Sequence, residues 1–198
     1  MYNFSKSQTK LNLLKAFAGE SQARNRYTFA ASVAKNQGFQ VIEKLFLFTA
    51  NQEKEHAKIF YKFLEPFAGE NIEIEKSNYP VDIFNSVSEL LIKASKNEFD
   101  EYNLVYKTFG EIAHSEGFEQ IAERFFKISE IEKIHGERFV KFSELIASEE
   151  LFNSKTKMRW ICLNCGNIFE GFKAPDECPV CEHPRGFYLK DEKFIFVK

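Results

Sequence analysis

Phe46-Leu-Phe-Thr-Ala-Asn-Gln-Glu53-Lys-Glu-His56-Ala-Lys-Ile-Phe60 reads as a helix with an interrupted core stripe. Followed outward, Phe39, Ile42, Phe46 and Thr49, then Phe60 and Phe63, recur in steps of three and four, the seam of a bundle helix. The two seam positions in the middle hold Glu53 and His56 instead of apolar residues. The same pattern returns as Phe118, Ile121, Phe125 and Ile128, then Phe139, Phe142 and Ile146, around Glu132 and His135. A third seam, Phe84, Val87, Leu91 and Ala94, then Val105, Thr108 and Ile112, brackets Glu98 and Glu101. A fourth, with Leu13, Phe17, Tyr27, Ala31 and Ala34, surrounds Glu20.

Asn36-Gln37-Gly38 and Ser115-Glu116-Gly117 are short breaks that join antiparallel neighbours, whereas Glu65-Pro66 to Tyr79-Pro80 is long enough to run the length of a bundle. Four helices are predicted, over 7–36, 39–65, 83–114 and 118–147, with Asp82 as the N-cap of the third. Two short turns and one long crossover define the ferritin-like four-helix bundle. The predicted fold is mainly α: this bundle over 1–152, then a small metal-knuckle domain with short β-strands over 153–198.

Seven ionisable groups in otherwise apolar seams need compensation, because burying isolated charge is costly. Arg24 is the one seam cation available, which is too few for a network of ion pairs. Metal ions supply the missing positive charge. Glu-x-x-His sets a carboxylate and an imidazole one turn apart on one face. The two copies lie 79 residues apart, and Glu20 and Glu98 lie 78 apart, so the bundle reads as a duplicated helical hairpin. One carboxylate from each of two helices plus Glu-x-x-His from each of the others is the ligand pattern of a di-iron carboxylate site. Oxygen-rich ligation suits iron or manganese, although affinity order alone leaves zinc open. Two ferrous ions against five carboxylates leave one net negative charge, and so do two ferric ions with a bridging oxide. Tyr27 and Tyr102 lie near the ligands, as hydrogen-bonding partners or as ordinary core aromatics.

The 198 residues carry 27 Lys and Arg against 29 Asp and Glu, a formal net charge of -2. With no broad cationic face, nucleic acid and anionic membranes are poor partners. No window approaches the roughly 18 apolar residues of a membrane span, and Met1–Lys15 lacks the apolar core of a secretory signal. A soluble, cytoplasmic chain is expected. The 23 Phe supply bulky, rigid core material.

All 4 cysteines lie in the last fifth of the chain. Asn153–Lys157 reads as a polar linker, and about forty residues beyond it cannot bury enough surface to fold without a staple. Cys162-Leu-Asn-Cys165 and Cys178-Pro-Val-Cys181, twelve residues apart, form two hooks for a tetrahedral four-thiolate site. Iron would make it a one-electron carrier and zinc a structural ribbon; disulfides are the third reading.

Together these motifs resemble the rubrerythrins. The resemblance is carried by Ala18-Gly-Glu-Ser-Gln-Ala-Arg-Asn-Arg-Tyr27, both Glu-x-x-His motifs, the Glu98-x-x-Glu101 pair, and a rubredoxin-like ending with Trp160-Ile-Cys-Leu-Asn-Cys-Gly166, Phe169-Glu-Gly171, Ala174-Pro175 and Cys178-Pro-Val-Cys181. It implies a non-haem di-iron peroxidase, defending against oxidative stress by reducing hydrogen peroxide to water. It implies Glu20, Glu53, His56, Glu98, Glu101, Glu132 and His135 as ligands, with one iron moving between Glu101 and His56. It also implies electrons taken singly from an external rubredoxin or NAD(P)H-dependent reductase by a four-cysteine iron, and a homodimer that sets this iron near the partner chain's di-iron site. One departure is Glu182-His183-Pro184 after the second hook, where stand-alone rubredoxins have Gly for its positive backbone angle; His183 is read as a packing residue. Iron storage in a large shell, and a zinc-ribbon interaction protein with a purely structural bundle, are the competing functions. The second leaves the seam carboxylates unexplained.

Overall fold

The computed structural model describes residues 3–191, so residues 1–2 and 192–198 at the ends of the two predicted domains lie outside it. Helix α1 spans Gln8–Asn36 and α2 spans Gln40–Lys62. The third bundle helix is α3, Val87–Asp100, continued through a π-helical turn over Glu101–Val105 into α4, Tyr106–Ser115. Helix α5, Glu119–Ala147, completes the bundle. Among the described residues no helix is long and apolar enough to cross a membrane.

Helix α1 starts where Ser7 Oγ accepts from the Lys10 amide at 3.1 Å and the Glu116 carboxylate accepts from the Gln8 and Thr9 amides, both at 2.9 Å. The third helix begins later than the sequence predicts. Its N-cap is Ser86, whose hydroxyl faces the Glu89 amide, and Asp82 instead pairs with Arg26 at 3.6 Å. Helix α2 ends at Lys62, and Pro66 opens no further helix but sits in a single 3-10 turn, Glu65–Phe67.

The duplication is visible in the backbone. Gly38 and Gly117 end their helices at φ 78° and 83°, and the next residues, Phe39 and Phe118, share φ/ψ of -102°/63° and -97°/63°. A positive φ stops each helix at little cost only because the residue is Gly. Helices α1 and α2 form one hairpin, α3 and α4 with α5 the other, and residues 63–86 cross between them.

Two apolar clusters fill the bundle. One gathers Ala23, Ala30, Ile42, Phe46, Leu91, Phe139 and Phe142, and the other Leu13, Ala16, Phe60, Tyr106, Ile121 and Phe125. Between them lies the polar layer. After Ala147 the chain forms a three-stranded antiparallel sheet in the order β2-β1-β3, from Asn153–Cys162, Ile168–Lys173 and Tyr188–Lys190. Residues 153–157, predicted as a linker, are the first half of β1, and the ladder to β2 shifts register between Asn153 and Met158. Trp160 is fully buried there, its Nε1 donating to the Gly171 carbonyl at 3.0 Å. Leu189, Ile161 and Leu163 pack on the end of the bundle beside Phe39, whose ring stacks on Phe152 at 6.2 Å between centroids.

Candidate metal centres

Six of the seven predicted groups are almost completely buried: Glu20, Glu53, His56, Glu98, Glu132 and His135 are each at most 5% exposed. They form two overlapping sets. Ligand atoms of Glu20, Glu53, His56 and Glu132 lie within 4.8 Å of one another, and so do those of Glu53, Glu98, Glu132 and His135. Glu53 and Glu132 belong to both. Glu53 turns Oε2 to His56 Nδ1 at 2.9 Å and Oε1 to His135 Nδ1 at 3.0 Å. Glu132 turns Oε1 to His56 at 3.0 Å and Oε2 to His135 at 2.9 Å. Each carboxylate thus presents one oxygen to each half of the site, the geometry of a bridge. Glu20 closes the His56 half at 3.8 Å and Glu98 the His135 half at 3.5 Å.

These contacts are close but leave the atoms unsatisfied. Both oxygens of Glu53 and Glu132, Glu20 Oε2, Glu98 Oε2 and the Nδ1 atoms of both histidines are buried without a hydrogen-bond partner. Such orphans in a native core are costly. Convergent lone pairs from four carboxylates and two imidazoles fit two divalent cations. Without cations, protons do part of the work. Burial and then Glu53 push Glu98 up to about 8. At His56 burial acts downward, but Glu132 and Glu53 outweigh it and lift the imidazole to about 10. At Glu132 burial acts upward and is outweighed by His135 and His56, which draw the carboxyl down to about 2.

Side chains behind the ligands fix their orientation. Tyr27 donates to Glu98 Oε1, and Tyr106 donates to Glu20 Oε1 at 2.5 Å. The second of these contacts comes from Tyr106 and not from Tyr102, which the sequence offers as a hydrogen-bonding partner or a core aromatic. The half-buried Tyr102 ring lies 4.1 Å from Lys107 Nζ and 5.6 Å from Lys133 Nζ, away from the carboxylates. The cause is the π turn, which inserts one residue and rotates everything after it. Tyr106, Gly110 and Ala113 therefore face the core, where an unbroken heptad predicted Val105, Thr108 and Ile112. The signal was in the spacing: Glu20 to Glu98 is 78 residues, but Tyr27 to Tyr106 is 79.

Glu101 belongs to neither close-set group. It is half-buried at the start of the π turn and lines a cavity beside the site. Arg24, predicted in the seam, is exposed on α1; the cation near Glu101 is Arg26. Gln52, missed in the sequence, accepts at Oε1 from His135 at 3.0 Å and from Arg138 Nη1 at 3.3 Å. Because Arg138 can only donate, it holds the amide oxygen toward His135. The ring proton then sits on Nε2 and leaves Nδ1 free for a metal.

In the C-terminal domain Cys162 Sγ and Cys181 Sγ are 3.8 Å apart, and Cys165 Sγ and Cys178 Sγ 3.7 Å. No disulfide forms among them. A tetrahedron with metal–sulfur bonds of about 2.3 Å has edges near 3.8 Å, so the thiols are spaced for one ion. Amides of Asn164 and Cys165 point at Cys162, those of Val180 and Cys181 at Cys178, and those of Asn167 and His183 at Cys165 and Cys181. Glu182 takes the positive angle of the second hook, φ 57°, where Gly166 takes φ 79° in the first. His183 Nδ1 meets the Cys181 carbonyl at 2.8 Å and its ring packs edge-on against Phe187.

The rubrerythrin family profile matches residues 12–143, and the rubrerythrin rubredoxin-like domain matches residues 160–188. The chain belongs to the rubrerythrin family. It is 43% identical to rubrerythrin of Porphyromonas gingivalis, over 92% of this chain and 89% of that one. To rubrerythrin of Clostridium perfringens it is 41% identical, over 95% and 96% of the two chains. Among solved structures, nigerythrin in a mixed-valence state aligns with a TM-score of 0.63 at 26% identity, covering 94% of this chain and 90% of that one. The cofactors of this rubrerythrin are accordingly a di-iron centre in the bundle and a metal in the four-cysteine site.

Proposed function

We propose that this rubrerythrin is a peroxidase that reduces hydrogen peroxide to water, using two electrons and two protons per peroxide. The observation that carries the proposal is the mirrored pair of buried, orphaned carboxylate–imidazole sets sharing Glu53 and Glu132. In this reading Glu53 and Glu132 would serve both irons, Glu20 with His56 and Glu98 with His135 would complete the two halves, and Glu101 would add a carboxylate from the cavity side. When bound, the pair of irons supplies two electrons at one place, which lets the O–O bond break without releasing a radical. The protein's own residues do the rest. Tyr27 and Tyr106 hold the terminal carboxylates, Gln52 and Arg138 hold His135, and the Phe-rich clusters on either side exclude bulk water.

The four cysteines of the 153–198 domain would hold iron and pass on single electrons from an external rubredoxin or NAD(P)H-dependent reductase. In nigerythrin, solved in mixed-valence and all-ferrous states, the iron changes oxidation state, which supports a redox role here. Within one chain the small domain packs at the Phe39 end of α2. Glu53 lies fourteen residues further along the helix, a separation of about 20 Å. That distance favours a homodimer in which the partner chain's thiolate iron serves the site. A cytoplasmic location in oxidative-stress defence completes the proposal.

Steady-state oxidation of NADH, coupled through a reductase to the iron-loaded protein, tests it. Hydrogen peroxide should drive oxidation that disappears in Glu132→Ala. Oxidation that is independent of peroxide, or equal in that variant, would overturn the proposal.

A further inference from the structure

A cavity of about 690 Å³ opens between α1, the crossover segment and the third helix. It touches the bundle site directly, because Glu101 and Tyr106 are part of its wall and the Tyr106 hydroxyl is bonded to Glu20. Hydrogen peroxide is little larger than water, whose share of liquid volume is about 30 Å³, and would fill a small part of this space. Ala16, Tyr79, Pro80, Leu104, Val105 and Phe109 give the cavity a large apolar surface, and Lys15, Lys76, Asn97 and Asp100 line it as well. Arg26 also lines it; its Nε faces the Asp82 carboxylate at 3.6 Å, and its Nη1 is buried without a hydrogen-bond partner. A largely apolar chamber with a donor to spare at Arg26 Nη1, leading to a redox site, fits a peroxide that carries an organic tail.

We propose that this rubrerythrin also reduces organic hydroperoxides, with the hydrocarbon tail seated between the crossover segment and the third helix. The proposal rests on the peroxidase reading above. One ROOH takes up two electrons and two protons, its O–O bond breaks, and one alcohol and one water leave. The electrons come from the same external one-electron donor through the thiolate site. The tail gains its affinity from Ala16, Leu104 and Phe109, and Arg26 donates to the peroxide oxygens as they reach Glu101.

The test compares hydrogen peroxide with cumene hydroperoxide on the iron-loaded full chain and on Leu104→Trp. Leu104 is 67% exposed at the cavity's edge, so a larger ring there narrows the chamber without entering the core. We expect kcat/KM for cumene hydroperoxide to fall at least tenfold in Leu104→Trp while that for hydrogen peroxide stays within twofold. Calorimetric binding of cumyl alcohol, the reduced product, to the resting protein should weaken in parallel. Thr108→Trp, on the same wall, serves if Leu104→Trp does not fold. Turnover of hydrogen peroxide alone, or equal losses for both peroxides, would overturn this inference and leave the peroxidase reading standing. Turnover of neither would overturn both.

Discussion

Tyr106 donates to Glu20 Oε1 across 2.5 Å, and Tyr27 makes the mirror-image bond to Glu98. Each half of the duplicated bundle thus supplies the tyrosine that holds the other half's terminal carboxylate. A hydrogen bond to a charged, buried group contributes about 1.5–3 kcal/mol. Tyr106→Phe should therefore weaken ferrous binding roughly 10- to 100-fold, and Tyr27→Phe by a similar factor. Tyr102→Phe should change it less than about twofold. Anaerobic titration of the metal-free protein with ferrous iron, followed by calorimetry, measures all three.

Gln52 carries the next prediction. Gln52→Leu keeps the bulk but removes the acceptor shared by His135 and Arg138, freeing the imidazole to exchange tautomers. Metal affinity should drop by about 10- to 100-fold. Gln52→Glu restores an acceptor for both donors and should recover most of the loss. Affinity unchanged in Gln52→Leu would show that the imidazole needs no such support.

The pH dependence has a definite sign. In the metal-free chain Glu98 and His56 are raised to about 8 and about 10 from ordinary values of 4.5 and 6.5. The folded state then holds protons that the unfolded chain has lost, so their stabilisation fades as pH climbs from about 4.5 toward about 10. Glu132, lowered to about 2, acts oppositely, and its contribution is lost only as pH falls below about 4.5. Bound metal must displace the protons on Glu98 and His56, so affinity rises over the interval in which metal-free stability falls. Melting of the loaded and metal-free proteins between about pH 5.5 and about pH 8.5 should show a gap that widens with pH. A constant gap would place the metal elsewhere.

Glu182 sits at φ 57°, a conformation that costs a side-chain-bearing residue about 1–2 kcal/mol. Glu182→Gly should stabilise the knuckle by about 1 kcal/mol. It should also slow loss of the thiolate-bound metal to a chelator, followed by absorbance. The spectrum itself should not change, because all four sulfur ligands remain.

Most of the bundle is legible in the sequence because heptad spacing is a direct record of which face each residue buries. Glu53, His56, Glu132 and His135 are conspicuous for that reason, as ionisable groups in a stripe of Phe and Ile. Tyr106 escapes the heptad because the π turn at 101–105 changes the helical period, and no periodicity argument survives an insertion it does not know about. The clue lay in the repeat, where a 78-residue offset becomes 79. Gln52 and Arg138 escape for another reason. They flank the seam, and only the folded geometry brings both donors to one oxygen. The start of β1 at Asn153 is hidden as well, since a polar, mostly exposed run carries no alternation.

The most direct test is an anaerobic titration of fully reduced, iron-loaded protein with hydrogen peroxide, followed by Mössbauer and visible spectra. The account predicts that one equivalent of peroxide oxidises both bundle irons together, and that the red ferric four-thiolate colour returns as further peroxide is added. Bundle irons that stay ferrous while peroxide persists, or a bundle that binds fewer than two irons, would contradict it.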